Sequence, residues 1–444
     1  MGKLLSIRNL LAATSLAAII TLPALAQTNT DAGTTPPTPQ SIAMELFAGA
    51  NSALRSDDYE SARRMLEAAL DLKPGHPAIL RGLYRVAVQA EEPGDALAVL
   101  ERIAAAGLGY DTADEADWLA EADHQRFAAI SRQLDANLAP AGQAERAARI
   151  ERPDALIEGV AIDIETDRIF LSSVAEREIL MLEPFAPNEP EVFADREDGL
   201  WSVFGIAVDD RNRMVWATSG VVPQTPMAAG EEAGTALFAF DMTTGDLYRR
   251  YEFEGAERLG DFVVRDGIVY VSDSAAPRIY VLDSLSGQLE LLVEDERFVS
   301  LQGLALAHGA LYAADYAMGI WRIDLGDHSV SLVRPGDESL IGVDGFLNTR
   351  DGRLIAVRNG ASPHQVMAID LDATGHAVAN VDVILRSHPD MAGDTEPTLI
   401  DLADGRGWLV ANAAWPQFPA DGSVPDAPRP ATVILQFQLP SADD

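Results

Sequence analysis

Apolar and small residues fall into paired short runs from Glu158 onward, each pair split by a tight polar turn. The first runs read EGVAID (158–163), FGIAVD (204–209), GDFVVRD (260–266), QGLALA (302–307), DGFLNT (344–349) and PTLIDL (397–402). Their partners follow at once as RIFLSS (168–173), MVWATS (214–219), IVYVSD (268–273), ALYAAD (310–315), LIAVRN (354–359) and WLVAN (408–412). Runs this short, rich in β-branched and aromatic residues and bounded by turn formers, predict strands joined as hairpins. The offset from the start of one run to the end of its partner is odd in every pair, which predicts one antiparallel register repeated six times.

A third strand follows in each unit: EILMLE (178–183), ALFAFD (236–241), RIYVLD (278–283), GIWRID (319–324), QVMAID (365–370) and VILQFQ (433–438). Five units show a fourth, as in QLELLVED (288–295) and NVDVILRS (380–387). Units of this size cannot bury their own faces and must stack or close into a ring. The sixth unit has three strands, and RAARIER (146–152) supplies a partner for its open edge. An edge paired in this way closes the ring, so the expected fold is a six-bladed β-propeller spanning 154–440, with 139–153 as linker and closing outer strand.

Ahead of the strands the period changes to that of helices. Ala62, Leu66 and Ala69 recur at a fixed interval as Ala96, Leu100 and Ile103. That interval, and the small–large–small order, resemble the second helix of a tetratricopeptide repeat. DYESARRMLEAALDLKP (58–74) carries the resemblance down to Pro74 after the helix, and Gly49 and Ala50 sit where the first helix wants small residues. The second copy is weaker, since Gly94 opens its second helix, and 114–138 continues less regularly. The fold class is therefore α then all-β, with helical repeats at 41–138. Such repeats imply a protein or peptide partner, or a helical spacer docked on the propeller.

Propeller geometry selects the candidate chemistry. First-strand starts and second-strand ends share one face of the disk, the former nearest the axis. The inner ring reads Glu158, Phe204, Gly260 and Asp261, Gln302, Asp344, then Glu396 and Pro397. The next ring is Ser173, Ser219, Asp273, Asp315, Asn359 and Asn412. Four carboxylates around one mouth repel unless a cation neutralises them or some hold protons. An oxygen-only set without Cys or His suits a hard divalent cation such as Ca²⁺. An Asp or Asn at a strand end also serves simply to cap a turn. Two long loops, 221–234 and 413–429, lie on the same face and suit recognition, with Trp415 and Phe418 as pocket walls. His364 is a further acid–base candidate on that side.

At these residues the chain resembles the senescence-marker-protein/gluconolactonase family of six-bladed propellers, over roughly 156–440. The resemblance implies a divalent metal held by Glu158 in EGVAID and Asp344 in GVDGF, with Gln302 in LQGLAL where the family has Asn. It implies lactone opening by metal-assisted hydrolysis, with Asp344 or Asp261 as base. Asn359 and Asn412, with Glu396, Asp315, Trp415 and His364 around them, would then bind the substrate. NHL-type propellers use the same strand phrases without enzyme activity, so a non-catalytic scaffold stands as the alternative.

The chain carries −36 at neutral pH and no cysteine. Such a field repels nucleic acid and anionic membranes, and the lack of cysteine excludes disulfides. Lys3 and Arg8, the apolar stretch 10–25 and Ala24-Leu25-Ala26 read as a secretory signal over 1–26, too short and too broken by Pro23 for a membrane span. A Thr/Pro-rich tether follows at 27–40. The expected location is periplasmic or secreted. There is no GxSxG elbow, no phosphate loop and no HExxH helix.

Overall fold

The computed structural model describes residues 37–283, 287–420 and 428–440. The expected signal segment, most of the tether and the stretch 421–427 lie outside the described residues. Five helices come first: α1 (Pro39–Arg55), α2 (Tyr59–Leu72), α3 (Pro77–Gln89), α4 (Pro93–Ala105) and α5 (Ala116–Leu138). α1 begins two residues inside the expected tether, because the Thr38 side chain caps it through Ser41 N at 3.2 Å and Pro39 fits its first turn. Asp58 caps α2 in the same way, at 3.1 Å from Ser61 N. The repeated positions Ala62, Leu66, Ala69, Ala96, Leu100 and Ile103 are all buried. Gly82 permits the close approach of α2 and α3, since a Cβ there would stand 3.2 Å from Leu66. α5 is kinked at Asp123, where the backbone leaves helical geometry.

The strands form six four-stranded antiparallel sheets. Five are built from consecutive strands. In the sixth, Glu145–Ile150 pairs with Thr432–Gln438, Glu145 opposite Gln436 and Ile150 opposite Thr432. The ring is thereby closed by strands from its two ends. Most first and second strands are largely buried on both faces, as in Ile157–Asp163, because each sheet is sandwiched between its neighbours. Outer strands face solvent on most positions, as in Leu247–Tyr251. The apolar core accordingly lies in layers between adjacent blades, not in one central mass.

The repeated register holds only for part of each hairpin. In five blades it slips at the start of the first strand, between Ile157 and Gly159, Val203 and Ile206, Leu259 and Phe262, Leu301 and Leu304, and Val343 and Phe346. Each slip is a β-bulge, and a bulge re-aims the side chain it carries. The residues so displaced include Glu158, Phe204, Asp261, Gln302 and Asp344. Glycines accompany them because blades converge at the axis. A Cβ on Gly303 would stand 2.6 Å from Phe346 N, and one on Gly345 2.5 Å from Thr398 O. Hydroxyls of the second strands fill the remaining gaps. Ser172 Oγ receives Gly159 N at 2.8 Å and donates to Phe204 O of the next blade at 2.5 Å. Thr218 repeats this toward Gly260, and Ser272 Oγ donates to Asp261 O at 3.0 Å.

In the fifth blade the equivalent position is Arg358, fully buried and directed to the helices. Its guanidinium donates to Ser339 O and to Gly107 O, both at 2.9 Å, with Glu338 3.7 Å away. Gly109 N donates to Ser362 O at 3.0 Å, and Arg386 reaches Ala136 O and Ala139 O at 2.8 and 2.9 Å. Ala361 belongs to the helical core itself. The helical repeats therefore dock beside the fourth and fifth blades, on the face bearing the first-strand starts.

Candidate functional site

Four carboxylates, Glu158, Asp261, Asp344 and Glu396, meet at the axial mouth closely enough to influence one another, with Asp344 at the centre. Asp344 is anchored by Asn359, whose Nδ2 donates to its Oδ2 at 2.7 Å and to Pro397 O at 2.9 Å. Glu158 Oε2 accepts from Trp415 Nε1. Glu396 is set by a two-way backbone bridge to Ala413, at 3.0 and 2.8 Å. Asp261 and Glu396 are half-buried, and desolvation by the surrounding protein governs their ionisation. Burial and the neighbouring Asp344 push Asp261 up to about 8 and Glu396 up to about 7. Burial raises Asp344 to about 6 against the pull of the Asn359 bond, and raises Glu158 well above the carboxylate range. No Arg, Lys or His contributes to these shifts, and the four join none of the ion pairs among the described residues.

Tyr316 completes the mouth, and sequence reasoning passed it over. Its half-buried side chain lies near Asp344 and Glu396, and desolvation together with those two charges raises its pKa. The ring rests on Gly360, where a Cβ would stand 2.8 Å from the hydroxyl. The available signal was its place directly after the second strand of the fourth blade. On the other side Phe204, Phe418, Leu156 and Val174 form one apolar cluster with Trp415 packed on it. The two long loops meet there, Gln224 Nε2 donating to Phe418 O at 2.9 Å, with the Arg429 guanidinium 3.7 Å from the Phe418 ring centre.

Other expected site residues engage partners within the fold. Asp315 accepts from Val299 N, Ser300 N, Ala317 N and Trp321 Nε1 at 2.8 to 3.2 Å, a turn cap with both oxygens occupied. Asn412 is clamped to Val433 N at 2.7 Å and Ala431 O at 3.0 Å. It also lines a lateral cleft of about 370 Å³ together with Arg149, Asp390 and Gln417. His364 Nδ1 lies 3.3 Å from Met391 O, and burial lowers its pKa. Gln302 stands in the ring position on the fourth blade, with its amide nitrogen turned to Ser300 Oγ at 3.2 Å.

For a hard cation the donor chemistry is suitable but sparse. Among the described residues Glu158 and Asp344 each keep one carboxylate oxygen without a protein donor, and Gln302 keeps its carbonyl. Among the described residues no three of His, Asp and Glu stand close enough to share one ion. An ion here would take two carboxylates and complete its shell with carbonyl and solvent oxygens.

Residues 53–112 match the tetratricopeptide repeat family. This covers the α2–α4 segment whose periodicity was apparent in the sequence. No curated protein matches the chain. Among solved structures, a gluconolactonase from Xanthomonas campestris is 15% identical, with 69% of this chain and 92% of that one aligned at a TM-score of 0.44. Virginiamycin B lyase from Staphylococcus aureus is 10% identical over 68% and 100% of the two chains, with a TM-score of 0.45. The PQQ-bound aldose sugar dehydrogenase from Streptomyces coelicolor is 13% identical over 67% and 99%, with a TM-score of 0.41. These neighbours have diverse chemistries, and the propeller assignment here rests on the strand pairing itself. No described helix is long and apolar enough to cross a membrane.

Proposed function

We propose that the axial mouth is a cation-assisted hydrolytic site for a small lactone or ester, in a protein exported to the periplasm or secreted. The observation carrying this reading is the set of four enclosed carboxylates with no basic partner. Glu158 and Asp344, with the Gln302 carbonyl, would hold the cation, Ca²⁺ by the hardness of the donors. A bound cation of this kind polarises an acyl oxygen and acidifies water. The chain's own groups supply the rest. Trp415 and Asn359 fix the orientation of Glu158 and Asp344. Asp261 and Glu396, raised to about 8 and about 7, exchange protons near neutrality, the range useful to a general acid or base. In the reaction water oxygen bonds to the acyl carbon, the ring or ester C–O bond breaks, and the leaving oxygen takes a proton.

Calorimetric titration with Ca²⁺, Mn²⁺ and Zn²⁺, followed by a lactone and aryl-ester panel, tests the reading. Binding that is lost in Asp344→Asn, with turnover dependent on the same ion, supports it. Neither binding nor turnover leaves the second reading, a scaffold. The tetratricopeptide match favours that role for the helices, whose repeats would grip a peptide partner.

A further inference from the structure

Resting on the hydrolytic reading, we infer that the substrate carries an ammonium group: a cationic ester or lactone whose charged head sits among Asp344, Glu396 and Asp261 against the aromatic walls. A single divalent cation balances two carboxylates, and the two left over in the mouth either hold protons or meet a further cation. Among the described residues no three of His, Asp and Glu stand close enough to share one ion. An alkylammonium head is larger than a metal ion and can bridge carboxylates too far apart to share one. Its carbon-bound hydrogens also favour aromatic faces, where the attraction survives the loss of water.

The mouth is built on that plan. Among the described residues the hydrogen bonds of Glu158, Asp344 and Gln302 engage Glu158 Oε2, Asp344 Oδ2 and the Gln302 amide nitrogen, and no protein donor meets Glu158 Oε1, Asp344 Oδ1 or Gln302 Oε1. Asn359 is 7% exposed, with both contacts of its nitrogen directed to Asp344 and Pro397, and its buried Oδ1 has no partner. A buried acceptor left without a donor is costly unless the ligand or a water brings one. Tyr316 borders the group on one side, and Trp415 with the Phe204–Phe418 cluster on another. Carboxylates that pair with no basic residue among those described, set beside aromatic rings, favour positive over negative ligands.

The test uses the full chain after chelator treatment, titrated with choline and with its neutral isostere 3,3-dimethylbutan-1-ol. Choline is expected to bind at least about tenfold more tightly. Glu396→Gln and Tyr316→Leu should each erode that preference. If either variant fails to fold, the comparison on the unsubstituted chain decides alone. Equal binding of the two probes, or binding of neither at millimolar concentration, overturns the inference whatever the hydrolysis assays show. In a second arm, acetylcholine is compared with 3,3-dimethylbutyl acetate in the presence of the cation. Faster turnover of the cationic ester supports the inference, and faster turnover of the neutral one overturns it. A choline preference with turnover of neither ester refutes the hydrolase reading and leaves the ligand class standing.

Discussion

An enclosed carboxylate without a basic neighbour holds its proton into the neutral range, and this has a sign that can be measured. Asp344, Glu396 and Asp261 lie at about 6, 7 and 8 in the fold, against ordinary values near 4 in the unfolded chain. The native state thus binds more protons than the unfolded one, and their stabilising contribution, complete below about pH 4, is lost as pH rises through 6 to 8. Metal-free protein should melt at progressively lower temperature across that window. Ca²⁺ should flatten the profile and release protons on binding, seen as a buffer-dependent heat. A melting temperature that rises from pH 6 to 8 without added cation would contradict the arrangement. Asp344→Asn should leave stability unchanged or improved by about 1–2 kcal/mol in unfolding experiments, since it removes the central like charge. Cation affinity should nevertheless fall by at least about tenfold by calorimetry. The ring positions were legible because the hairpin repeat fixes which residue begins each first strand. The separate fates of Asp315, Asn412 and Asn359 were not. All three end second strands, and only turn geometry determines whether such a side chain caps the backbone or reaches the axis.

At the scale of elements, strands and helices could be read from periodicity, while the bulges and the docking contacts could not. A constant offset between strand ends is indifferent to a slip inside the hairpin, so the feature that re-aims Glu158 and Asp344 left no mark on it. Arg358 did leave one. Aligned across the blades, its position reads Ser172, Thr218, Ser272, Ala314, Arg358 and Ala411, a single long cation among small residues. Arg358→Met should cost about 3 kcal/mol, because two charge-assisted bonds to carbonyls vanish and Glu338 loses its partner. Limited proteolysis should then cut earliest near α4 and α5 while the propeller persists. Uniform loss of both modules would show instead that they unfold as one. Leu66→Ala, in the tight contact with Gly82, should destabilise the helices by about 2–5 kcal/mol in chemical denaturation.

For the whole molecule, closure was foreseeable from a deficit: one sheet short of a strand and a short, arginine-rich stretch upstream able to fill it. The side on which the helices rest was not, because the connection after Leu138 is compatible in sequence with either face. Ile150, fully buried in the closing strand, offers the sharpest test of the ring. Ile150→Asp should remove about 4–5 kcal/mol or more and promote association through the freed edge, visible as earlier denaturation with oligomers in size-exclusion chromatography. A monomer of ordinary stability would mean that the seam contributes little. The seam joins Glu145–Ile150, made early by the ribosome, to Thr432–Gln438, made almost three hundred residues later. Throughout that interval the nascent polypeptide bears a finished helical domain and a gaping, sticky arc, so its yield in cells should depend on holdase chaperones far more than its final robustness suggests.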